Sequence, residues 1–328
     1  MPQIILLTGL PRSGKTLLKN LLSLNDDVQV TEKEFFFFRY FDDESFSKRG
    51  DYKDNLNFLF EKCKIAENLK LDFKSFKKDG ENNKHLYLNI VENFFRNTGS
   101  NKKIFLDNSP DTIGYFRKYY NWLGDDFKCI YVKRNIIDNF ASYKGKNINN
   151  SKLDDLIYNF QFKYHHSNLI YNLLKNQYPN NLIKVKFEDL IANTNETCES
   201  LIKFLNIPKD NEYYKKISSS KFKINSSFNK DRSSREIDQS VLNRSNHLNF
   251  DEKNKINQKL FIIDTSFYTK EVFDLDLKMK SYFIDSKKKN LKNLINYLLK
   301  DLKFFNILKI FNYLILFLIK KLFNKFFN

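Results

Sequence analysis

The stretch that most constrains the fold lies near the start of the chain, where an apolar run leads into a tight loop and a helical pattern. Residues 8–22 read TGLPRSGKTLLKNLL, and the part from Gly9 to Thr16 fits the pattern G-x-x-x-x-G-K-[ST]. In such a loop, backbone N–H groups converge at a helix N-terminus, where the positive end of the helix dipole favours an oxyanion. The sequence therefore predicts an anion-binding loop between a buried strand and a helix.

The residues of this loop indicate how an anion would be held. Gly9 and Gly14 let the backbone approach the anion closely, while Lys15 supplies a point charge. Arg12 is unusual, because an ATP-binding loop seldom carries an arginine at this place, and the motif alone leaves open which anion is bound. The predicted binding set is Arg12, Ser13, Gly14, Lys15, Thr16 and Leu17.

Further apolar runs alternate with helical patterns along the chain. The predicted strands span residues 4–8, 28–30, 103–107, 128–133 and 182–187. Helices are predicted at 109–122, where Ser109 would be the N-cap, and at 136–143 and 153–178. This alternation is typical of an α/β fold, so we expect a P-loop fold whose central, mainly parallel sheet is flanked by helices.

The composition favours a basic, intracellular protein. The 328 residues include 56 Lys and Arg but 39 Asp and Glu, a formal charge of +17 that suits polyanionic partners. AT-rich coding is an alternative source of the many lysines, and no RNA-binding or helix-turn-helix signature is present, so no nucleic-acid partner is expected. The cysteines at 63, 129 and 198 are far apart, which predicts neither a metal site nor disulfides and fits a reducing cytosol. The apolar run at residues 4–7 is too short for a signal peptide.

The first loop resembles a known family when its residues are taken together. GLPRSGKTLLKNLL is similar to the 5′-phosphosulfate loop of sulfotransferases that use 3′-phosphoadenosine-5′-phosphosulfate (PAPS). The likeness is closest to the tyrosylprotein and bacterial saccharide branches, whose loops read Pro-Arg-Ser-Gly-Thr-Thr. Lys15 departs from this pattern, since the family usually has Thr or Ser there. The resemblance implies PAPS as co-substrate, with Arg12 at the bridging oxygen and Lys15 in support.

A second stretch strengthens the resemblance. CIYVKRNIIDNFASYKGK is similar to the family's 3′-phosphate segment, which places an arginine at a strand end and a serine eight residues later. Arg134 and Ser142 keep this spacing. An arginine fork and a hydroxyl together suit the 3′-phosphate that distinguishes PAPS from ATP. A more distant likeness to the family's C-terminal nucleotide-covering loop implies that Ser227 and Arg235 reach the cofactor.

The general base is less clearly placed. Counted without gaps from the first loop, the base position of the tyrosylprotein branch falls on Lys33, with Glu32 and Glu34 on either side. A slip of one residue would put either glutamate in place, and we take both as candidates and prefer Glu32. Where the family often has a lysine in an Asp-Lys-Ser-Pro stretch, this chain has Asn108, which puts more of the electrostatic role on Arg12 and Lys15.

The C-terminal segment has a character of its own. We divide the chain into a sulfotransferase-like domain, residues 1–285, and a basic amphipathic helical tail, residues 286–328. From residue 287 the tail has ten lysines and one aspartate. Its apolar run at 310–319 is short of the roughly 20 residues that span a bilayer. A basic amphipathic helix suits an anionic membrane surface, although packing on the domain or on a second subunit is the alternative.

Three functions are compatible with these features. The leading one is PAPS-dependent sulfation of a saccharide or lipid-linked glycan, in the cytoplasm or at the inner face of the membrane. The alternative is a P-loop kinase or NTPase in which Thr16 and Asp107 would hold Mg²⁺. The third is an anion-binding scaffold without catalytic activity. No metal is expected for the leading function.

Overall fold

The core of the computed structural model is a parallel β-sheet. The structure describes residues 1–110, 112–147, 153–208, 211–223, 234–235 and 242–257. The strands of the sheet are β1 (Gln3–Gly9), β2 (Val28–Val30), β3 (Ile104–Asn108), β4 (Lys128–Lys133) and β5 (Leu182–Lys186). Within the described residues the strand order is β2-β3-β1-β4-β5, and every pairing is parallel. The expected α/β fold with a parallel sheet is confirmed.

Helices connect the strands and surround the sheet. Those of the first half are α1 (Lys15–Leu22), α2 (Phe37–Tyr40), α3 (Asp43–Arg49), α4 (Tyr52–Glu61), α5 (Lys64–Leu69), α6 (Asn83–Asn97) and α7 (Phe116–Leu123). Those of the second half are α8 (Ile136–Asn147), α9 (Leu153–Gln177), α10 (Phe187–Ala192), α11 (Thr194–Phe204), α12 (Asn211–Ser219) and α13 (Phe250–Asn257). Two short strands, β6 (Phe222–Lys223) and β7 (Ser234–Arg235), form a separate antiparallel pair.

Both faces of the sheet are covered, which explains why the inner strands β1, β3 and β4 have continuous buried runs rather than alternating patterns. On one face, Ile5 and Leu7 of β1 join a buried cluster with residues of α1, α10 and α11. On the other face, Phe105 of β3 packs edge-on against Phe94 of α6, with 6.0 Å between ring centroids. A central β1 with helices on both sides places the loop after it at the carboxyl edge of the sheet, where ligands bind in folds of this kind.

The helix predicted at 109–122 is the main local difference. The chain leaves β3 and makes a short 3₁₀ turn at Ile113–Tyr115, and α7 begins only at Phe116. Ser109 donates a hydrogen bond to Asp107, and the Thr112 hydroxyl donates to Thr8 of β1. These side chains bind the ends of the strands instead of capping a helix, which delays its start.

A second apolar cluster joins the C-terminal part of the described chain to α8 and α9. Phe140 and Phe160 pack in it with Ile256 of α13. The backbone N–H of Ser245 also donates to Asp138 at 2.7 Å, which holds the turn at Arg244–His247 on α8. All the described residues belong to one compact unit, and the predicted boundary after residue 285 and the tail lie outside them. Among the described helices, none has the length and apolar content needed to cross a bilayer.

Candidate active site

The anion-binding loop lies between the carboxyl end of β1 and α1, in the context the sequence predicts. Gly9 and Gly14 have φ values of 147° and 102°. A Cβ atom would lie 2.4 Å from the Val132 carbonyl oxygen at Gly9, and 2.1 Å from Cδ2 of Phe187 at Gly14. Only glycine therefore fits at either place. Arg12 also has a positive φ, 68°, a conformation that is uncommon for residues with a Cβ and is found preferentially at functional sites.

The start of α1 offers the groups that an oxyanion requires. Gly14 is the N-cap residue, and no side chain of the described residues caps the helix there by a hydrogen bond. The hydroxyl of Ser13 is buried and has no hydrogen-bond partner among the described residues. Buried polar atoms normally have partners, and an anion at the helix start would accept from this hydroxyl. Thr16 is exposed on the first turn and Leu17 is half-buried.

Lys15 supports the loop from behind. Its side chain is only 5% exposed. Its ammonium group donates to the carbonyl oxygens of Gly9 at 3.0 Å and Leu10 at 2.9 Å. The lysine that departs from the family pattern therefore binds the two carbonyls at which the loop leaves β1, and it brings a positive charge to the loop.

The second predicted segment meets the first loop directly. Arg134 follows β4, and Ser142 lies two helical turns later on α8. Nη1 of Arg134 donates to the carbonyl oxygen of Arg12 at 3.4 Å, and Nε of Arg12 donates to Oγ of Ser142 at 3.3 Å. Asn139, between them on α8, donates to the carbonyl oxygen of Pro11 at 3.0 Å. Residues some 120 positions apart in the sequence thus form one cluster.

The cluster carries an excess of positive charge. The guanidinium of Arg134 lies 4.5 Å from the ring centroid of Phe187, a cation–π arrangement. Burial lowers the pKa of Arg134 to about 10; Asp138 and Glu188 oppose this, whereas Arg244 and Arg12 contribute to it. The pKa of Arg12 is also lowered, mainly by burial and to a smaller extent by the charge of Arg244. Three guanidinium groups that repel one another at a carboxyl edge make a site for a ligand with several negative charges.

Three contributors were not predicted from the sequence. Arg244 lies nine residues beyond Arg235, Phe187 directly follows β5, and Asn139 lies between Arg134 and Ser142. Of the three, Asn139 could have been identified from the sequence, because it lies inside the segment already matched to the family's 3′-phosphate segment.

The two candidate bases lie in different surroundings. Glu32 is exposed and Glu34 is half-buried. The Glu34 carboxylate raises the pKa of Arg12, whereas Glu32 is not among the groups that shift it. Lys33, at the counted base position, donates to Oδ1 of Asn68 at 2.9 Å. Of the two candidates, Glu34 is therefore the one whose charge acts on the loop arginine.

Asp107, the Mg²⁺ ligand of the NTPase alternative, is enclosed in the core. Its side chain accepts hydrogen bonds from Tyr87 at 2.9 Å, Tyr119 at 2.6 Å and Ser109 at 2.5 Å. Burial raises the pKa of Asp107, and these three donors oppose the rise. Each carboxylate oxygen already has a hydroxyl partner, so Asp107 ties elements of the core together. Asn108, next to it, has a buried Oδ1 with no hydrogen-bond partner among the described residues.

The remaining predicted residues are Ser227 and Arg235. Glu188, which was not predicted as a site residue, contacts the turn after Arg134. Arg235 lies in β7, and nothing further is described of its side chain, while Ser227 lies outside the described residues. Glu188 accepts from the backbone N–H of Asn135 at 2.8 Å and so fixes the turn after Arg134. Within the described residues, no group of three or more His, Cys, Asp or Glu side chains has a metal-binding arrangement.

Comparison with known structures identifies the fold. The sulfotransferase domain of the Synechococcus PCC 7002 olefin synthase has a TM-score of 0.53 at 13% identity, over 78% of this chain and 94% of that domain. The sulfotransferase domain of the curacin biosynthetic pathway has a TM-score of 0.49 at 16% identity, over 85% and 98% of the two chains. Mouse sulfotransferase SULT7A1, solved with PAP, has a TM-score of 0.35 at 14% identity, over 84% and 82%. The first superposition shows that the protein has the fold of a sulfotransferase domain.

A family model completes the comparison. No curated protein matches the sequence. The model described as "Sulfotransferase family" matches residues 2–211, a segment that includes the anion-binding loop, both candidate bases and the Arg134–Ser142 pair. Because this match extends over more than half of the chain, the protein belongs to the sulfotransferase family, whose reaction is the transfer of a sulfuryl group.

Proposed function

We propose that the protein transfers the sulfuryl group of PAPS to a hydroxyl of a saccharide or lipid-linked glycan. The observation that carries the donor assignment is the contact between the two predicted segments, Arg134 to Arg12 and Arg12 to Ser142. In PAPS the phosphosulfate and the 3′-phosphate are attached to the same ribose. A donor of that shape needs two anion-binding groups side by side, which is the arrangement of these residues.

Each residue of the cluster has a role in this reaction. When bound, PAPS supplies the activated sulfuryl group. The loop amides, Ser13, Gly14, Thr16 and Leu17 would hold the 5′-phosphosulfate, and Arg134 with Ser142 would hold the 3′-phosphate. Arg12 would stabilise the negative charge that develops on the bridging oxygen, and Lys15 would add to the field from behind the loop. Preorganised donors of this kind are usually the largest contribution to catalysis.

Glu34 is the base that we propose, in preference to Glu32. The acceptor oxygen forms a bond to sulfur, the bond from sulfur to the bridging oxygen breaks, and adenosine 3′,5′-bisphosphate leaves with the electron pair. Glu34 takes the proton of the acceptor hydroxyl. Its half-buried carboxylate acts electrostatically on Arg12, which supports a role next to the bridging oxygen that Arg12 would stabilise.

The acceptor and the cellular location rest on sequence features. The loop resembles that of the saccharide branch, which supports a sugar hydroxyl as acceptor. The basic tail, residues 286–328, supports action in the cytoplasm at an anionic membrane surface, where a lipid-linked glycan would be reached. The ATP-hydrolysing alternative is not favoured, because Asp107 is engaged in the core.

A transfer experiment tests the proposal. The full chain is incubated with PAPS labelled in the sulfuryl group and with extracts of cell-envelope glycans and glycolipids. We expect the label to move to a saccharide without added divalent metal. Arg12→Ala should slow transfer by about 10²-fold or more, because the charge that develops on the bridging oxygen is no longer stabilised.

The control is Arg96→Ala, which removes an exposed arginine on α6 that donates to the Ser75 carbonyl. It should transfer at the wild-type rate. Hydrolysis of Mg-ATP with no movement of label would favour the NTPase alternative. Label that moves to protein or to no acceptor at all would contradict the saccharide assignment.

A further inference from the structure

Two buried lysines lie one turn apart on α1, and their ammonium groups bind different segments. Lys15 binds the carbonyls at the start of the anion-binding loop. Lys19 is 7% exposed and donates to the carbonyl oxygens of Thr31 at 3.1 Å and Glu32 at 2.9 Å. A buried charge is costly unless it is hydrogen-bonded. The contacts of Lys19 therefore fix the segment that follows β2.

The same segment carries Glu34, and the charges place it near Lys19. Burial lowers the pKa of Lys19, while the carboxylates of Glu34 and, less strongly, Glu32 oppose this effect. Glu34 also raises the pKa of Arg12. The charge of the Glu34 carboxylate thus acts on two cations, Lys19 on α1 and Arg12 in the anion-binding loop.

The far end of the segment is anchored to β3. The backbone N–H of Phe35 donates to the Asn108 carbonyl at 3.3 Å, and that of Phe36 donates to Oγ of Ser109 at 3.1 Å. Lys19 holds the near end. Glu34 lies between these two anchors. Lys19 belongs to α1, which directly follows the anion-binding loop. The distance between Glu34 and the loop is therefore set by α1.

We propose that Lys19 is a positioning residue for the reaction: it binds the Thr31 and Glu32 carbonyls and so fixes the segment that carries Glu34 relative to the anion-binding loop. The inference rests on the proposed function, since it requires Glu34 to take the proton of the acceptor. Lys15 and Lys19 then align the two halves of the site from one helix face, Lys15 the donor half and Lys19 the base. A displacement of about 1 Å at such a base costs about 10²-fold in rate.

The experiment compares Lys19→Met with Lys15→Met, a matched control on the same helix with the same burial and the same type of contact. The probes are adenosine 3′,5′-bisphosphate, followed by calorimetry, and the slow hydrolysis of PAPS with water as acceptor. Lys19→Met should bind the bisphosphate as wild type does and hydrolyse PAPS about 10- to 100-fold more slowly. Lys15→Met should weaken bisphosphate binding.

A double variant shows whether Lys19 acts through Glu34. Glu34→Gln should reduce hydrolysis by about 10²-fold or more, and Lys19→Met combined with Glu34→Gln should be no slower than Glu34→Gln alone, because there is no base left to position. Lys19→Arg, which keeps a charged donor, should recover part of the rate. If Lys19→Met does not fold, Lys19→Gln takes its place with the same expectations.

Two results would overturn the inference while the wild type remains active. One is a double variant slowed by the product of the two single effects, which means that Lys19 acts independently of Glu34. The other is a loss of bisphosphate affinity in Lys19→Met equal to that in Lys15→Met, which would make Lys19 part of the donor site. A wild-type protein that neither binds the bisphosphate nor hydrolyses PAPS would instead refute the proposed function, and the inference with it.

Discussion

Arg134 is the residue on which the donor assignment depends most. It follows the last residue of β4, stacks on the ring of Phe187 and reaches the carbonyl oxygen of Arg12. Phe187 is also the side chain that fills the space above Gly14. One ring therefore sets the position of both the loop and the arginine, and this links the two anion-binding groups through packing as well as through hydrogen bonds.

This geometry predicts a sharp difference between arginine and lysine at position 134. Arg134→Lys keeps the charge but loses the planar fork that matches a phosphate and stacks on an aromatic ring. We expect the affinity for adenosine 3′,5′-bisphosphate, measured by calorimetry, to fall by about 10-fold or more, about 1.4 kcal/mol. Arg96→Lys, the exposed control, should leave it unchanged. Equal affinity in Arg134→Lys and wild type would argue against a phosphate contact at this residue.

At the scale of single residues, the sequence allowed the prediction of site residues that lie at a fixed distance from the end of a strand. Arg134 and Ser142 were predicted from the resemblance of their segment to the family's 3′-phosphate segment, whose spacing they keep, and both contact Arg12 in the structure. The base was harder, because the segment after β2 is short and a slip of one residue exchanges Glu32 for Glu34. That choice depends on which carboxylate acts on Arg12, and this is set by tertiary contacts that the local sequence does not show.

At the scale of secondary structure elements, the Asp107 network joins the sheet to the helices beside the site. Its carboxylate at the end of β3 accepts from Tyr87 of α6 and from Tyr119 of α7. Ser109, which donates to the same carboxylate, accepts from the backbone N–H of Phe36. The segment that carries the candidate bases is thereby tied to a rigid part of the core.

Removal of one hydrogen-bond donor from this network should therefore lower the stability of the fold and leave the PAPS site intact. Tyr119→Phe leaves the buried Asp107 carboxylate with one hydroxyl partner fewer, which should lower the free energy of unfolding by about 1–3 kcal/mol. Tyr120→Phe is the matched control, since its hydroxyl binds Asp125 at the surface, and it should change stability by less than about 0.5 kcal/mol. Urea denaturation measures both. Equal stability of the two variants would show that the network contributes little.

The strands were predictable from the sequence, and the helix after β3 was not. The inner strands β1, β3 and β4 each contain a continuous buried run, because both faces of the sheet are covered. Ser109 and Thr112, by contrast, resemble residues of a helix start, yet their hydroxyls bind Asp107 and Thr8. Asp107 lies near the end of β3, and Thr8 lies on β1, 104 positions before Thr112. These contacts depend on the tertiary structure, about which a local capping pattern carries no information.

At the scale of the whole molecule, the site gathers charge from distant parts of the chain. Burial lowers the pKa of Arg134 most, and Arg244 and Arg12 lower it further; Arg244 also contributes to the lowered pKa of Arg12. The sequence separates these three residues widely. Arg12 and Arg134 belong to recognisable motifs. Arg244 is brought to the site by the turn that Ser245 holds on α8. No spacing in the sequence predicts that contact. The formal charge of +17 thus includes three guanidinium groups of one site.

The most direct test of this account is a titration of the full chain, without divalent metal, with adenosine 3′,5′-bisphosphate and with adenosine 5′-monophosphate. The two ligands differ only in the 3′-phosphate, which Arg134 and Ser142 would hold. We expect the bisphosphate to bind at least about 10-fold more tightly, a difference of about 1.4 kcal/mol. Equal affinities for the two nucleotides, or binding of Mg-ATP alone, would contradict the assignment of this site to PAPS.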